Sequence, residues 1–175
     1  MKTIVLPQLS QTYGYDCGAK ALQAVLVYYG IEIREDEIIK SAGTSIDGTS
    51  IKGIIKVVQK YGLKTDSKQM TISDIKEYIK KNIPVIIVLQ AWSKKKKVDW
   101  EKDWIDGHYV VAIGYTKDKI LFEDLSSFKR DYLKYDELDK RWHDVDTGGK
   151  KYFHHGIAIF GKKPQYNRDE VVHMD

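Results

Sequence analysis

The chain has 175 residues, a length that fits one domain with a sizeable hydrophobic core. Hydrophobic residues make up 42% of the chain and charged residues 31%, both ordinary values for a globular protein. The formal net charge of +4 is small and scattered along the chain, so the composition does not favour a nucleic-acid-binding protein.

Cys17 is the only cysteine, so no disulfide bond can form within the chain. The segment from Met1 to Gln8 holds no apolar run long enough for a secretory signal peptide, and no stretch approaches the length of a membrane span. These features favour a protein of the reducing cytoplasm. The sequence leaves the oligomeric state open.

The first predicted helix begins at the cysteine. Apolar residues at positions 21, 22, 25, 26 and 29 share one helix face, which predicts a helix from Cys17 to Tyr29. Asp16 stands at the expected N-cap and Gly30 at the expected end. Cys17 therefore lies in the first turn, where the helix macrodipole favours the negative thiolate over the thiol.

The remaining elements follow from a change in hydrophobic period. Further helices are predicted at 35–42, at 50–61 after a Thr49 or Ser50 cap, at 74–81 after a Ser73 cap, and at 135–142. Strands are predicted at 84–90, 109–115, 119–122 and 152–160. This order predicts an α+β fold, with an N-terminal helical lobe packed on an antiparallel sheet. We expect one domain over residues 1–161 and a polar tail over 162–175.

A thiol that attacks a carbonyl needs a base, and His108 is the preferred candidate. It follows Gly107 at the start of a predicted strand, an edge position from which a side chain can face a cleft. The alternative is a strand-end histidine that is satisfied by local hydrogen bonds. The other histidines are weaker candidates, since they lie at a helix end, side by side in a strand, or in the tail: His143, His154, His155 and His173.

Asp124 is the candidate that would orient the imidazole. It ends the strand that pairs with the strand begun by His108, so the hairpin brings the two residues within reach. Gln11, six residues before Cys17, could join the Cys17 amide as a donor to an oxyanion. The alternatives are a turn residue for Asp124 and an ordinary surface glutamine for Gln11.

Residues near these groups are expected to contact a substrate. A glycine at Gly18 allows a substrate backbone to approach the thiol closely, and Gly107 stands beside the histidine. The segment from Trp92 to Trp104 is long for a connection between strands, which is typical of a functional loop. We expect Trp104 to bind substrate and the loop to form one wall of a cleft, and the alternative is a packed surface loop. The lysine run at 94–97 favours a solvated loop over a basic rim that attracts an acidic peptide.

Metal binding is the main rival use of cysteine and histidine. A single cysteine without a nearby histidine does not match zinc-ligand spacing, and no glycine-rich phosphate loop is present. We therefore expect neither a metal nor another cofactor.

The chain resembles the C39 peptidases, the double-glycine leader peptidases of bacteriocin processing. The matching segments are 11–19, 107–111 and 122–124, together with 47–50 before a helix. The resemblance implies a papain-like fold and hydrolysis of peptide bonds. It gives Cys17 the role of nucleophile, His108 of base, Asp124 of orienting group and Gln11 of oxyanion donor.

Two departures from the family pattern stand out. Leu125 occupies the position after Asp124 where many members have proline, and the chain carries no membrane transporter, so it resembles the stand-alone members. A papain-like acyl transferase or deamidase would use the same thiol chemistry, and a non-cleaving peptide-binding module is a third interpretation. The expected partner in each case is a peptide or protein.

Overall fold

The computed structural model describes residues 3–127 and 129–174. Its helices are α1 (Cys17–Tyr28), α2 (Glu35–Ala42), α3 (Ile51–Lys60), α4 (Ile72–Lys80) and α5 (Tyr135–Arg141). Its strands are β1 (Lys64–Gln69), β2 (Val85–Gln90), β3 (Gly107–Tyr115), β4 (Lys119–Glu123), β5 (Arg130–Lys134), β6 (His143–Val145), β7 (Lys151–Phe153) and β8 (His155–Phe160).

The α+β prediction is confirmed: α1 to α4 come from the first half of the chain, and the second half is dominated by strands. The main sheet has the order β1-β8-β2-β3-β4-β5, and every neighbouring pair is antiparallel. All six residues of β2 are buried, as expected for a central strand with both faces covered. Helix α1 packs against β3, and this contact brings the start of the first helix to the start of a central strand.

The N-caps of α3 and α4 can be compared with the predicted capping residues. The Ser50 side chain accepts a hydrogen bond from the Gly53 amide and begins α3, as predicted. The predicted Ser73 cap of α4 is wrong. Thr71 is the cap, because its hydroxyl and the carboxylate of Asp74 bond each other's backbone amides in a capping box.

The strand prediction lacks β1 and β5, and it treats β7 and β8 as one strand. β1 and β5 lie at the two edges of the sheet and carry polar residues, so they lack the apolar signature of a strand. The predicted strand 152–160 is interrupted at His154, whose φ of 50° turns the chain. As a result β7 pairs with β6 in a separate two-stranded sheet, while β8 pairs with β1 and β2.

The segments before α1 and after β8 both pack onto the domain. The Ile4 amide donates to the Ile113 carbonyl, at 2.8 Å, so the lead-in follows β3. In the tail, the amides of Gln165 and Tyr166 both donate to the Tyr28 carbonyl at the end of α1. Among the described residues, none of the helices combines the length and apolar character that crossing a membrane requires.

Candidate active site

Cys17 is the first residue of α1 and is half-buried. Its side chain lines a cavity of about 400 Å³ whose walls come from the loop before α3 and from the β6–β7 hairpin. The thiol therefore stands where the free amides of a helix N-terminus favour negative charge, and it is open to a small cleft.

His108 is the second residue of β3, and only 8% of its surface is exposed. Its Nε2 atom lies 2.8 Å from Oδ1 of Asp124. Cys17 lies close by, because a Cβ atom on the next residue, Gly18, would lie 3.0 Å from the ring of Tyr109, which follows His108 in β3. Because Nε2 is occupied by Asp124, Nδ1 is the nitrogen that remains for the sulfur. The structure therefore brings together three residues that are far apart in sequence.

Asp124 follows directly after β4, and both oxygens of its carboxylate accept hydrogen bonds. Oδ1 accepts from His108, from the Ser126 amide at 2.9 Å and from the Ser126 hydroxyl at 2.7 Å. Oδ2 accepts from the Trp92 indole at 2.7 Å. Burial alone raises the pKa of a carboxyl group, but the bonds from His108 and Ser126 outweigh it and lower the pKa of Asp124 to about 2.

The charge state of His108 follows from the same contacts. Burial lowers the pKa of an imidazole, whereas the hydrogen bonds to Asp124 and Cys17 raise it, and the balance puts the pKa of His108 at about 9. The imidazolium is therefore the favoured form at neutral pH. A positive ring between a carboxylate and a thiol stabilises the thiolate, the reactive form of cysteine.

Gln11 lies beside this group, in the segment that precedes α1. Its amide Nε2 donates to the Tyr13 carbonyl at 2.7 Å, and its backbone amide donates to the Leu125 carbonyl at 2.7 Å. Gln11 and His108 line a second cavity, of about 750 Å³. A primary amide has two N–H groups, so one donor of Gln11 is left for a ligand.

Gly107 lines both cavities and therefore stands at the junction of the cleft. A Cβ atom at this position would lie 2.7 Å from Oδ1 of Asp144, so a side chain here would crowd the cleft wall. Gly18 packs closely, because a Cβ atom there would lie 2.9 Å from Cβ of Thr49 and 3.0 Å from the Tyr109 ring. Its contact with substrate stays a prediction.

Two parts of the predicted loop behave differently. Trp92, at its start, and Ile105, directly after its end, line the cavity beside His108. Trp104 instead packs its ring against His143, with centroids 4.3 Å apart, and against Phe153 at 5.5 Å, so its contact with substrate stays a prediction.

Trp92 is a site residue that the sequence interpretation did not single out. It was one of several aromatic residues in a long loop, and its bond to Asp124 joins residues 32 positions apart. Trp92 is also 59% exposed, so it is not a residue of the hydrophobic core. Among the described residues, no group of three or more histidine, cysteine or acidic side chains is arranged to hold a metal ion.

The sequence model of the Peptidase C39 family matches residues 6–146. The chain belongs to the Peptidase C39 family. It is 30% identical over 146 residues to the lactococcin-G-processing and transport ATP-binding protein LagD of Lactococcus lactis subsp. lactis. That match covers 83% of this chain but only 18% of LagD, so the chain spans less than a fifth of this relative.

Solved structures of C39 domains have the same papain-like fold. The peptidase domain of Streptococcus ComA, described as a bifunctional ABC transporter involved in a quorum-sensing pathway, has a TM-score of 0.66 at 21% identity, over 93% of this chain and 99% of that domain. A C39-like peptidase from Bacillus anthracis has a TM-score of 0.69 at 16% identity, over 94% of this chain and 100% of that one. The predicted family and fold are thus confirmed.

Proposed function

We propose that this C39 family member is a cysteine peptidase in which Cys17 is the nucleophile, His108 the acid and base, and Asp124 the group that orients the imidazole. The observation that carries the proposal is the 2.8 Å contact of His108 with Asp124 at the start of β3, beside the cleft that Cys17 lines together with Gly107. Each of the three groups supplies a function that thiol catalysis requires.

The reaction begins with the thiolate of Cys17, which attacks the carbonyl carbon of a peptide bond. The Cys17 amide and the Gln11 side chain donate to the oxygen that becomes negative. The His108 imidazolium then gives its proton to the departing amine, and a thioester remains on the sulfur. Water, deprotonated by neutral His108, attacks the thioester, which releases the carboxylic acid and restores the Cys17 thiolate beside the His108 imidazolium.

The proposed substrate is a peptide, with a Gly-Gly sequence before the cleaved bond as the first candidate. The family relationship supports this choice, since double-glycine leader peptidases are its best-known members. The cleft beside the thiol is lined by Gly107 and by the loop before α3. A reducing compartment such as the cytoplasm remains the proposed location, because the reaction needs a free thiol.

The test is a digest of a peptide library by the wild type and by Cys17→Ala, read by mass spectrometry in isotopically labelled water. We expect cleavage by the wild type alone, with one labelled oxygen in each new carboxyl terminus. Matched peptides with Gly-Gly replaced by Ala-Ala then measure the glycine preference. Cleavage that persists in Cys17→Ala contradicts the assigned nucleophile.

The other interpretations give different products in the same experiment. An acyl transferase transfers the acyl group to an added amine, and the product then carries no labelled oxygen. A deamidase converts glutamine side chains and leaves the peptide backbone intact. A binding module retains peptides equally well in the wild type and in Cys17→Ser and turns over neither.

A further inference from the structure

A buried polar cluster lies behind the Cys17 thiol. Asp16 directly precedes it and has no exposed surface, and its side chain makes no capping bond to α1 although it occupies the N-cap position. The carboxyl group turns back along the chain instead. Its Oδ2 accepts from the Thr12 amide at 2.9 Å and from the Tyr13 amide at 2.8 Å.

Glu35, the first residue of α2, also contacts the segment of residues 11–16. Its Oε2 accepts from the Thr12 hydroxyl at 2.6 Å and from Nζ of Lys20 at 2.7 Å. Lys20 is itself buried, with 8% of its side chain exposed, and it also donates to Gln23. Groups from α1, from α2 and from the preceding turn thus converge on the two carboxyl groups.

The protonation of the two carboxyl groups depends on the second oxygen of each, which the bonds above do not involve. Oδ1 of Asp16 and Oε1 of Glu35 are buried and have no hydrogen-bond donor among the described residues. Thr12 joins the two carboxyl groups, because its amide donates to Asp16 and its hydroxyl donates to Glu35. Two carboxylates can only accept hydrogen bonds, so a bond between them requires one shared proton.

The surroundings assign that proton to Asp16. Burial and the bond with Glu35 raise the pKa of Asp16. Burial would also raise the pKa of Glu35, but the bonds from Lys20 and Thr12 outweigh it and lower that pKa. With Asp16 neutral, Glu35 negative and Lys20 positive, the cluster carries no net charge, which is the favourable state for buried ionisable groups.

We propose that Asp16 is a positioning residue that holds the turn of residues 11–16, as a neutral carboxyl group donating to Glu35, so that the Gln11 amide faces the oxyanion. This inference rests on the proposed peptidase function. The hydrogen bonds form a continuous path: Asp16 holds the Tyr13 amide, and the Tyr13 carbonyl accepts from the Gln11 side chain.

A neutral Asp16 also favours ionisation of the neighbouring Cys17 thiol more than a negative one would. An ionised carboxylate directly before Cys17 would oppose formation of the thiolate, whereas a neutral carboxyl group does not. The turn thus has a fixed shape without adding negative charge at the start of α1.

The kinetic test compares Asp16→Asn with Asp16→Ala. Asparagine reproduces the neutral carboxyl group, because its oxygen can accept from the Thr12 and Tyr13 amides while its NH₂ group donates to Glu35. We expect Asp16→Asn to keep wild-type kcat and KM. Asp16→Ala should lower kcat about 10²-fold, the effect of losing one oxyanion donor, with KM unchanged.

A second readout separates positioning from general structural damage. Alkylation of Cys17 by iodoacetamide forms no oxyanion, whereas a peptide aldehyde bound to the thiol places an oxygen at the oxyanion position. Asp16→Ala should keep the wild-type alkylation rate and lose about 10²-fold in aldehyde affinity. Equal loss in both measurements, or equal loss of kcat in Asp16→Asn and Asp16→Ala, overturns the proposal.

NMR of isotope-labelled Asp16 tests the shared proton without any turnover. We expect a protonated Asp16 carboxyl group at neutral pH in the wild type. In Glu35→Gln the new amide can donate to Asp16, so the carboxyl group should become ionised. An ionised Asp16 in the wild type overturns the inference even if the chain is an active peptidase. A wild type that cleaves no peptide instead defeats the proposed function and with it the positioning role, whatever the NMR result.

Discussion

The indole of Trp92 donates a 2.7 Å hydrogen bond to Oδ2 of Asp124, the carboxylate oxygen that His108 leaves free. Trp92 has a φ of 60°, a left-handed conformation that costs a non-glycine residue on the order of 1 kcal/mol. Its ring is more than half exposed, so burial does not account for this conformation. The bond holds the second oxygen of the carboxylate, while His108 holds the first.

This geometry predicts an unusual response to Asp124→Asn. The asparagine oxygen can still accept from His108 and Ser126, but its NH₂ group then faces the N–H group of Trp92, donor against donor. We expect kcat/KM to fall about 10²-fold or more, within the range for a disturbed acid–base group. Adding Trp92→Phe removes the opposing donor and should restore part of the loss, as measured in a double-mutant cycle.

Trp92→Phe alone is the control for that cycle. It keeps the ring and removes only the N–H donor, so a small effect is expected while Asp124 retains its other bonds. Purely additive losses in the double variant contradict the assigned contact.

The activity should fall at alkaline pH. The pKa of His108 is held at about 9 by Asp124 and Cys17 against the effect of burial, so its proton is present at neutral pH and leaves above that value. Because this proton goes to the departing amine, kcat/KM should decrease as pH rises through this range. In Asp124→Asn the decrease should move to lower pH, and a pH–rate profile measures both positions. An unchanged position in that variant contradicts the ion pair.

The His108–Asp124 pair also predicts a pH window for stability. His108 has a pKa of about 9 in the folded protein, above its ordinary value of 6.5. Its contribution to the free energy of unfolding is therefore complete below pH 6.5 and disappears as pH rises through about 9. Asp124 has a pKa of about 2 in the folded protein, below its ordinary value of 3.8. Its contribution to the free energy of unfolding is therefore complete above pH 3.8 and disappears as pH falls through about 2. Thermal unfolding of the wild type and His108→Gln across pH should show the alkaline loss in the wild type alone.

Gln11→Ala tests the oxyanion donor. We expect kcat to fall about 10²–10³-fold with little change in KM, because the bond forms only as the oxygen becomes negative. The matched control is Gln59→Ala on the exposed face of α3, which should leave both constants unchanged. A rise in KM at constant kcat would indicate ordinary substrate binding by Gln11.

Gly18→Ala tests the packing role that the structure gives this glycine. Its new methyl group would meet Thr49 and Tyr109 at about 3 Å, so we expect a loss of about 1–3 kcal/mol in unfolding free energy. Gly14→Ala is the control, since a Cβ atom there meets no other atom within 4 Å. Chemical denaturation of the two variants compares them directly, and equal stability would contradict the assigned role.

Local patterns in the sequence were enough to predict much of the site. The helix that starts at Cys17 follows from apolar spacing, and the β3–β4 hairpin brings His108 and Asp124 together because antiparallel strands align the start of one with the end of the next. The Ser73 cap was misplaced because two hydroxyl residues precede α4 and only Thr71 has Asp74 three positions later. The strands β1 and β5 were missed because sheet edges do not require apolar residues.

The sequence by itself therefore determined the α+β class and the approach of His108 to Asp124 across one hairpin, since both follow from local patterns. Only the tertiary structure decided that Trp92 bonds Asp124 and that Asp16 faces Glu35. These contacts join loops and helix ends that have no hydrophobic period. Their partners are set by how α1, α2 and the sheet pack, and neighbouring residues along the chain carry no signal of that packing.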